Sequence, residues 1–254
     1  MNGIILHSEH RPDPSWRDGG VHLPAPDMAE VPTVWSVPVP DSHTLTQHFI
    51  DTLSAEEINR GSRFHQARHR NRFLLGRVVL RHLLGRALAI APRSLQFKLG
   101  MHNKPFLDGV KQPLSFSLSY TDNHVIIAIA PLHAVGIDIE HIKTDFEFES
   151  MVDACFSPRE IQYIGEEHRR FYTLWTRKEA VLKLTGKGIG EHLPDFEVLD
   201  GSGAVQPDNV GTTATDRLHL FTFEVQPTLL ATLCTSRPFD AFACYRWQEP
   251  GEPG

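Results

Sequence analysis

The sequence predicts an α+β protein made of two similar halves joined near Pro131. Three observations predict it: a strand, long helix and strands recur in order on both sides of that residue; turn-forming residues separate the runs; and the composition is that of an ordinary folded chain. At 254 residues, 41% hydrophobic and 22% charged, the chain can bury one large core or two modest ones.

Residues 1–30 hold Pro12, Pro14, Gly19, Gly20, Pro24 and Pro26 without sustained periodicity, which reads as an extended or disordered lead-in. The first half then covers 31–130. A strand is expected over Thr33–Val39. Ser54, with Glu57 three residues on, forms a capping box that opens a long helix running towards Ala87. After Pro92 come an alternating run, Ser94–Leu99, a turn at His102-Asn103-Lys104-Pro105, and a hairpin of Leu114–Tyr120 and Val125–Ala130 around Thr121-Asp122-Asn123.

The second half, 131–247, repeats this order. Ala134–Glu140 reads as a strand, and Phe148–Thr185 as helical segments interrupted near Pro158 and Gly165. Strands follow near Phe196–Leu199, Leu218–Val225, Leu229–Thr235 and Ala241–Trp247, with Gly201–Thr213 as a flexible insertion and 248–254 as a tail.

Cys155, Cys234 and Cys244 are an odd set without C-x-x-C or zinc spacing, so a reducing, cytoplasmic compartment is expected. The apolar run Gly3–Leu6 is too short for a signal peptide or a membrane span. The net charge of −6 is uneven: residues 1–130 hold 14 basic and 11 acidic side chains, whereas 131–254 hold 11 and 20. That excludes polyanion binding over the whole surface, so no nucleic acid or membrane partner is expected. It suits a ligand whose phosphates meet the first half while a cation sits in the second.

Val135-Gly136-Ile137-Asp138-Ile139-Glu140 sends Ile137 and Ile139 to one strand face and Asp138 and Glu140 to the other. The pair is either a solvated acidic face or two oxygen ligands for one hard cation. Trp175-Thr176-Arg177-Lys178-Glu179-Ala180-Val181-Leu182-Lys183 has helical periodicity, ends at Gly186, and places Glu179 and Lys183 on one face. Such a pair is commonly a solvent-exposed spacer. If the helix packs beside the Asp138 strand, however, Glu179 completes a three-carboxylate set. Two like charges 4 Å apart cost about 4 kcal/mol at an effective dielectric of 20, so the set needs a cation or protons. Oxygen-only ligands favour Mg²⁺, with Mn²⁺ also acceptable, over zinc.

On the first long helix Arg68, Arg70, Arg72, Arg77 and Arg81 interleave with apolar residues; most are expected on a solvated face, with one or two clamping phosphate. Lys104 and Ser119 are further candidates. Gly186-Lys187-Gly188-Ile189-Gly190 follows a helix and lacks Walker order. No H-E-x-x-H or G-x-S-x-G pattern occurs, so covalent catalysis has no support.

Together, Val135–Glu140, Phe156-Ser157-Pro158-Arg159-Glu160 and Trp175–Gly188 resemble the signature of the 4′-phosphopantetheinyl transferase family. The likeness extends to Arg72-Phe73-Leu74-Leu75-Gly76-Arg77, Asn103-Lys104-Pro105-Phe106 and Phe116-Ser117-Leu118-Ser119, covering about 31–247. The upstream G-I-D-I-E with W-x-x-K-E-A-x-x-K-x-x-G-K-G is its specific part.

The resemblance implies two α/β halves related by pseudo-twofold symmetry, with the coenzyme site between them, in the larger monomeric class. It implies Mg²⁺-dependent transfer of the phosphopantetheine arm of coenzyme A, a co-substrate, to a serine of an apo acyl, peptidyl or aryl carrier protein in fatty acid, polyketide or nonribosomal peptide synthesis. Asp138, Glu140 and Glu179 would hold the metal, and Lys183 would contact the phosphate transferred. Arg68 or Arg72, Lys104 and Ser119 would hold the nucleotide end. The serine proton would pass to Glu179 or to a metal-bound water that it orients. Tyr120 stands where the family has a histidine after the serine, which removes a cationic contact near the 3′-phosphate. Rival readings are a non-catalytic coenzyme A or carrier-protein binding module and a metal-dependent phosphoesterase.

Overall fold

A computed structural model describes residues 4–11, 14–19, 31–39, 45–100, 103–111, 114–187, 193–206, 208 and 217–248. The chain is mixed α and β, and it divides into two compact units, each with its own five-stranded sheet. One unit comprises 1–14, 99–104 and 133–240; the other comprises 15–98, 105–132 and 241–254.

The first of these units holds strands β1 (Ile4–His10), β8 (Val135–His141), β9 (Gly201–Val205), β10 (Arg217–Gln226) and β11 (Leu229–Thr235) in the order β8-β11-β10-β1-β9. Only β1 and β10 run parallel. Helices α4 (Glu149–Cys155), α5 (Pro158–Ile164) and α6 (His168–Thr185) belong to the same unit. Its core gathers Leu6, Phe148, Phe156, Phe171, Leu174, Val181, Leu220 and Leu230. Phe148 stacks on Phe171 at a centroid distance of 4.7 Å.

The other unit holds β2 (Trp16–Gly19), β3 (Thr33–Pro38), β6 (Leu114–Thr121), β7 (His124–Pro131) and β12 (Ala243–Trp247), ordered β2-β12-β3-β7-β6. Strands β6 and β7 form the expected hairpin, and β12 lies parallel to both β2 and β3. Strands β4 (Gln96–Leu99) and β5 (Pro105–Asp108) pair separately. Helices α1 (Gln47–Ile50), α2 (Ala55–Ser62) and α3 (Ala67–Leu88) complete the unit, with Val79, Leu80 and Leu83 packed among Trp35, Phe116 and Ile127.

Several expectations are corrected. The lead-in is not irregular throughout, because Ile4, Leu6 and Ser8 alternate inward along β1 and its backbone is satisfied by β10 and β9. Its polar His7, Ser8 and Glu9 hid that period. Residues 20–30 lie outside the described residues. The single long helix is instead α2 followed by α3. Ser54 and Glu57 do form the capping box, but Glu57 also accepts from Arg77 at 2.6 Å and Arg81 at 2.7 Å. One straight helix would separate residues 57 and 77 by about 30 Å, so the chain must fold back. Arg81 is accordingly 2% exposed and does not lie on a solvated face.

No strand forms at Phe196–Leu199. The Phe196 carbonyl accepts from Lys178 and the Val198 N–H donates to Glu160, so side chains take the backbone bonds that a ladder would use. Part of the expected 201–213 loop is strand β9; the rest, apart from 206 and 208, lies outside the described residues, as do His102, Gly188, Ile189, Gly190 and the tail beyond 248.

Candidate active site

Helix α6 and strand β8 are brought together by a glycine. A Cβ placed on Gly136 would lie 2.0 Å from the Ala180 carbonyl oxygen and 2.4 Å from the Leu184 nitrogen, so helix backbone rests directly on strand backbone at this point. An isolated glycine within a strand pattern is the sequence sign of such an approach. Residues 136, 138 and 140 share one face of β8, and the helix turn 180–184 covers it.

The crossing places Lys183 Nζ 2.6 Å from Asp138 Oδ1. Asp138 is 2% exposed and sits opposite Thr232 of β11. The Thr232 hydroxyl bonds those of Thr176 (2.9 Å) and Thr222 (3.0 Å), and Arg177 Nε donates to Thr222 at 2.8 Å. The threonines and Arg177 form a buried polar layer between α6 and the sheet, hydrogen-bonded to one another as burial requires.

Glu179 stands one turn before Lys183 on α6. Its Oε1 is buried without a hydrogen-bond partner. Burial, followed by the negative charge of Asp138 and opposed by Lys183, raises its carboxyl pKa to about 7. Glu140 is half-buried two residues beyond Asp138 on β8.

Among the described residues, no three His, Cys, Asp or Glu side chains already converge as a metal cage. Lys183 supplies the positive charge at Asp138 instead. The chemistry of the donors nevertheless suits a hard divalent cation: they are carboxylates, and the orphaned buried oxygen of Glu179 needs a proton or a cation.

The neighbouring residues of α6 are structural. Lys178 is buried and pairs with the fully buried Glu160 at 2.8 Å, while also donating to the carbonyls of Leu193 and Phe196 at 2.6 Å each. Glu160 itself closes the capping box of α5 with Ser157. The sequence offered Ser157 and Glu160 as a motif, but only the fold pairs Glu160 with Lys178. Gly186, at φ +80°, ends α6 and returns its N–H to the Leu182 carbonyl.

Lys104 also belongs to this unit. Its ammonium donates to the Val135 carbonyl at 3.0 Å and the Leu184 carbonyl at 2.8 Å, and burial lowers its pKa to about 8.

The remaining candidates lie in the other unit. Arg72 donates to the Asp122 carbonyl at 2.7 Å and sits 6.0 Å from the centre of the Tyr120 ring. That ring packs against Gly76 of α3, and burial raises the tyrosine pKa against the opposing charges of Arg77, Arg60 and Arg72. Ser119 is buried on β6, while Arg68 is exposed and donates to Gln66 at 2.9 Å. The structure thus groups Asp138, Glu140, Glu179, Lys183 and Lys104 in one unit, and Arg72 with Tyr120 in the other.

Residues 134–234 match the family model of the 4′-phosphopantetheinyl transferase superfamily, and residues 35–132 match that of the 4′-phosphopantetheinyl transferase N-terminal domain. The chain is 33% identical over 172 residues to the 4′-phosphopantetheinyl transferase HetI of Nostoc sp., covering 65% of this chain and 72% of that protein. It is 30% identical over 198 residues to 4′-phosphopantetheinyl transferase psf-1 of Bacillus pumilus, covering 73% and 80% respectively. With 4′-phosphopantetheinyl transferase Sfp of Bacillus subtilis it shares 27% identity over 208 residues, 78% of this chain and 89% of the relative.

Proposed function

Because this chain belongs to the 4′-phosphopantetheinyl transferase family, we propose that it moves the phosphopantetheine arm of coenzyme A onto a serine hydroxyl of an apo acyl, peptidyl or aryl carrier protein. The observation that carries this reading is Glu179: a half-buried carboxylate whose buried Oε1 is orphaned, with a pKa of about 7, beside the Asp138–Lys183 pair. A general base is most effective when its pKa lies near the working pH.

The serine oxygen forms a bond to the β-phosphorus of coenzyme A, the bond from that phosphorus to the bridging oxygen breaks, and 3′,5′-adenosine bisphosphate leaves. Glu179 takes the serine proton, directly or through a water that it orients. Lys183, released from Asp138, turns its charge to the phosphoryl oxygens. Asp138, Glu140 and Glu179 are the residues that would hold Mg²⁺, or Mn²⁺ in its place, and the ion supplies neutralisation of the pyrophosphate charge. Arg68 or Arg72, with Ser119 and Tyr120, hold the nucleotide end. The protein acts as a cytoplasmic monomer without nucleic acid or membrane partners; among the described residues no helix is long and apolar enough to cross a membrane.

The test is the intact mass of apo carrier proteins incubated with the protein, Mg²⁺ and coenzyme A, beside Glu179→Ala and metal-free controls. A gain of one phosphopantetheine arm that disappears in both controls is expected. Unmodified carrier alongside free phosphopantetheine would mean hydrolysis, and unmodified carrier with intact bound coenzyme A would mean a binding module.

A further inference from the structure

We infer that Lys104 is a positioning residue that fixes the helix bearing Glu179 and Lys183 against the strand bearing Asp138, and not a ligand of the nucleotide. The inference rests on the transferase reading for its kinetic consequence, but its structural basis is separate.

One ammonium bridges two catalytic elements. Lys104 Nζ lies 3.0 Å from the carbonyl of Val135, the first residue of β8, and 2.8 Å from the carbonyl of Leu184, next to Lys183 on α6. The Leu184 carbonyl is within the last turn of the helix, where carbonyls lack an intrahelical donor and the helix dipole favours a cation. Both bonds are made inside the compact unit that contains Asp138.

The crossing itself explains why such a bridge is needed. At Gly136 the helix meets the strand backbone to backbone, with no side chain at that residue to interlock with α6. Interdigitating side chains ordinarily fix how one element sits along another. Here the ammonium supplies that constraint from outside the contact, three residues before Asp138 and one residue after Lys183. Lys104 thus ties the helix that carries Glu179 to the strand that carries Asp138 and Glu140, through bonds that none of these carboxylates makes.

Local sequence delivers Lys104 to this place. Asn103 adopts φ +61°, a conformation that asparagine tolerates, and Pro105 disfavours a helical backbone at Lys104. Gly100 N–H donates to the Lys104 carbonyl at 2.9 Å and Asn103 N–H to the Gly100 carbonyl at 3.2 Å, closing the turn. The side chain is committed to carbonyls, which an anionic ligand does not replace.

The experiment compares wild type, Lys104→Met and Asn103→Val by Mn²⁺ binding in calorimetry and by steady-state kinetics with coenzyme A and an apo carrier. Lys104→Met removes the bridge. Asn103→Val keeps the charge and shifts it, because a β-branched residue is strained at positive φ, so the comparison survives if the first variant does not fold. Both variants should lose about tenfold in Mn²⁺ affinity and in kcat, with the KM for coenzyme A unchanged, as is typical when a supporting residue behind a metal site is removed. A raised KM with unchanged Mn²⁺ affinity would make Lys104 a nucleotide ligand and overturn the inference. So would a lowered Tm with kinetics and Mn²⁺ affinity intact, which would make the bridge merely structural. If wild type modifies no carrier while the Mn²⁺ effect holds, the transferase reading falls and the positioning role stands.

Discussion

Lys183 Nζ lies 2.6 Å from Asp138 Oδ1, so a side chain expected on phosphate instead neutralises an expected metal ligand. The pair is a competition between an internal cation and an external one. Removing the lysine charge should tighten divalent-ion binding while harming transfer. Lys183→Met is expected to bind Mn²⁺ more tightly than wild type and to lose roughly a hundredfold in kcat, since each preorganised charge on a reacting oxyanion is worth about that much. Weaker Mn²⁺ binding in this variant would show that the lysine supports the ion instead of competing with it.

Glu179 should set the acidic limb of the pH profile. Its carboxyl has a pKa of about 7, raised by burial first and by Asp138 second, and only the ionised form accepts a proton. At limiting Mg²⁺, kcat/KM should rise through about pH 7, and the limb should vanish from the residual activity of Glu179→Gln. Bound Mg²⁺ favours the carboxylate and moves the limb lower. A profile indifferent to Mg²⁺ would place the titration elsewhere.

The same group carries a stability signature. A carboxyl whose folded pKa exceeds its unfolded value is destabilising when ionised: the penalty is absent below about pH 4.5 and complete above about 7. Glu179→Gln should therefore stabilise the metal-free protein at pH 8 by on the order of 1–3 kcal/mol and leave it nearly unchanged at pH 4.5. Urea denaturation at the two pH values checks the difference.

Gly136→Ala should separate the two elements that make the site. The added methyl would meet the Ala180 carbonyl oxygen at 2.0 Å, and backbone cannot yield as a flexible side chain can. Destabilisation of about 3 kcal/mol or more is expected, above the usual range for overpacking by one methyl. A stable, fully active Gly136→Ala protein would contradict the crossing.

Tyr120 predicts the response to the 3′-phosphate. Burial raises its pKa, so the hydroxyl stays neutral and offers one donor and no positive charge. Rates with coenzyme A and 3′-dephospho-coenzyme A should be similar. A large loss with the dephospho form would assign that phosphate to another cation.

Some of this was legible in the chain alone. The alternation of Val135–Glu140 put Asp138 and Glu140 on one face, the periodicity from Trp175 to Gly186 made a helix with Glu179 and Lys183 together, and a capping box formed where Ser54 and Glu57 announced it. Such features are local. They depend on side-chain period and on backbone groups within four residues of each other, so the sequence carries them in full.

Tertiary structure decided what those residues meet. Glu57 finds Arg77 and Arg81 on another helix, Lys178 finds Glu160, Lys183 finds Asp138, and Lys104 finds two carbonyls 31 and 80 residues away. A charged side chain on a surface and one in a core look alike in sequence; only the fold shows which charges are buried, and burial makes a partner obligatory. The sequence therefore determined which chemical groups this protein owns and which local elements present them. Packing decided which groups face each other without water, because that depends on distances that a linear pattern does not contain.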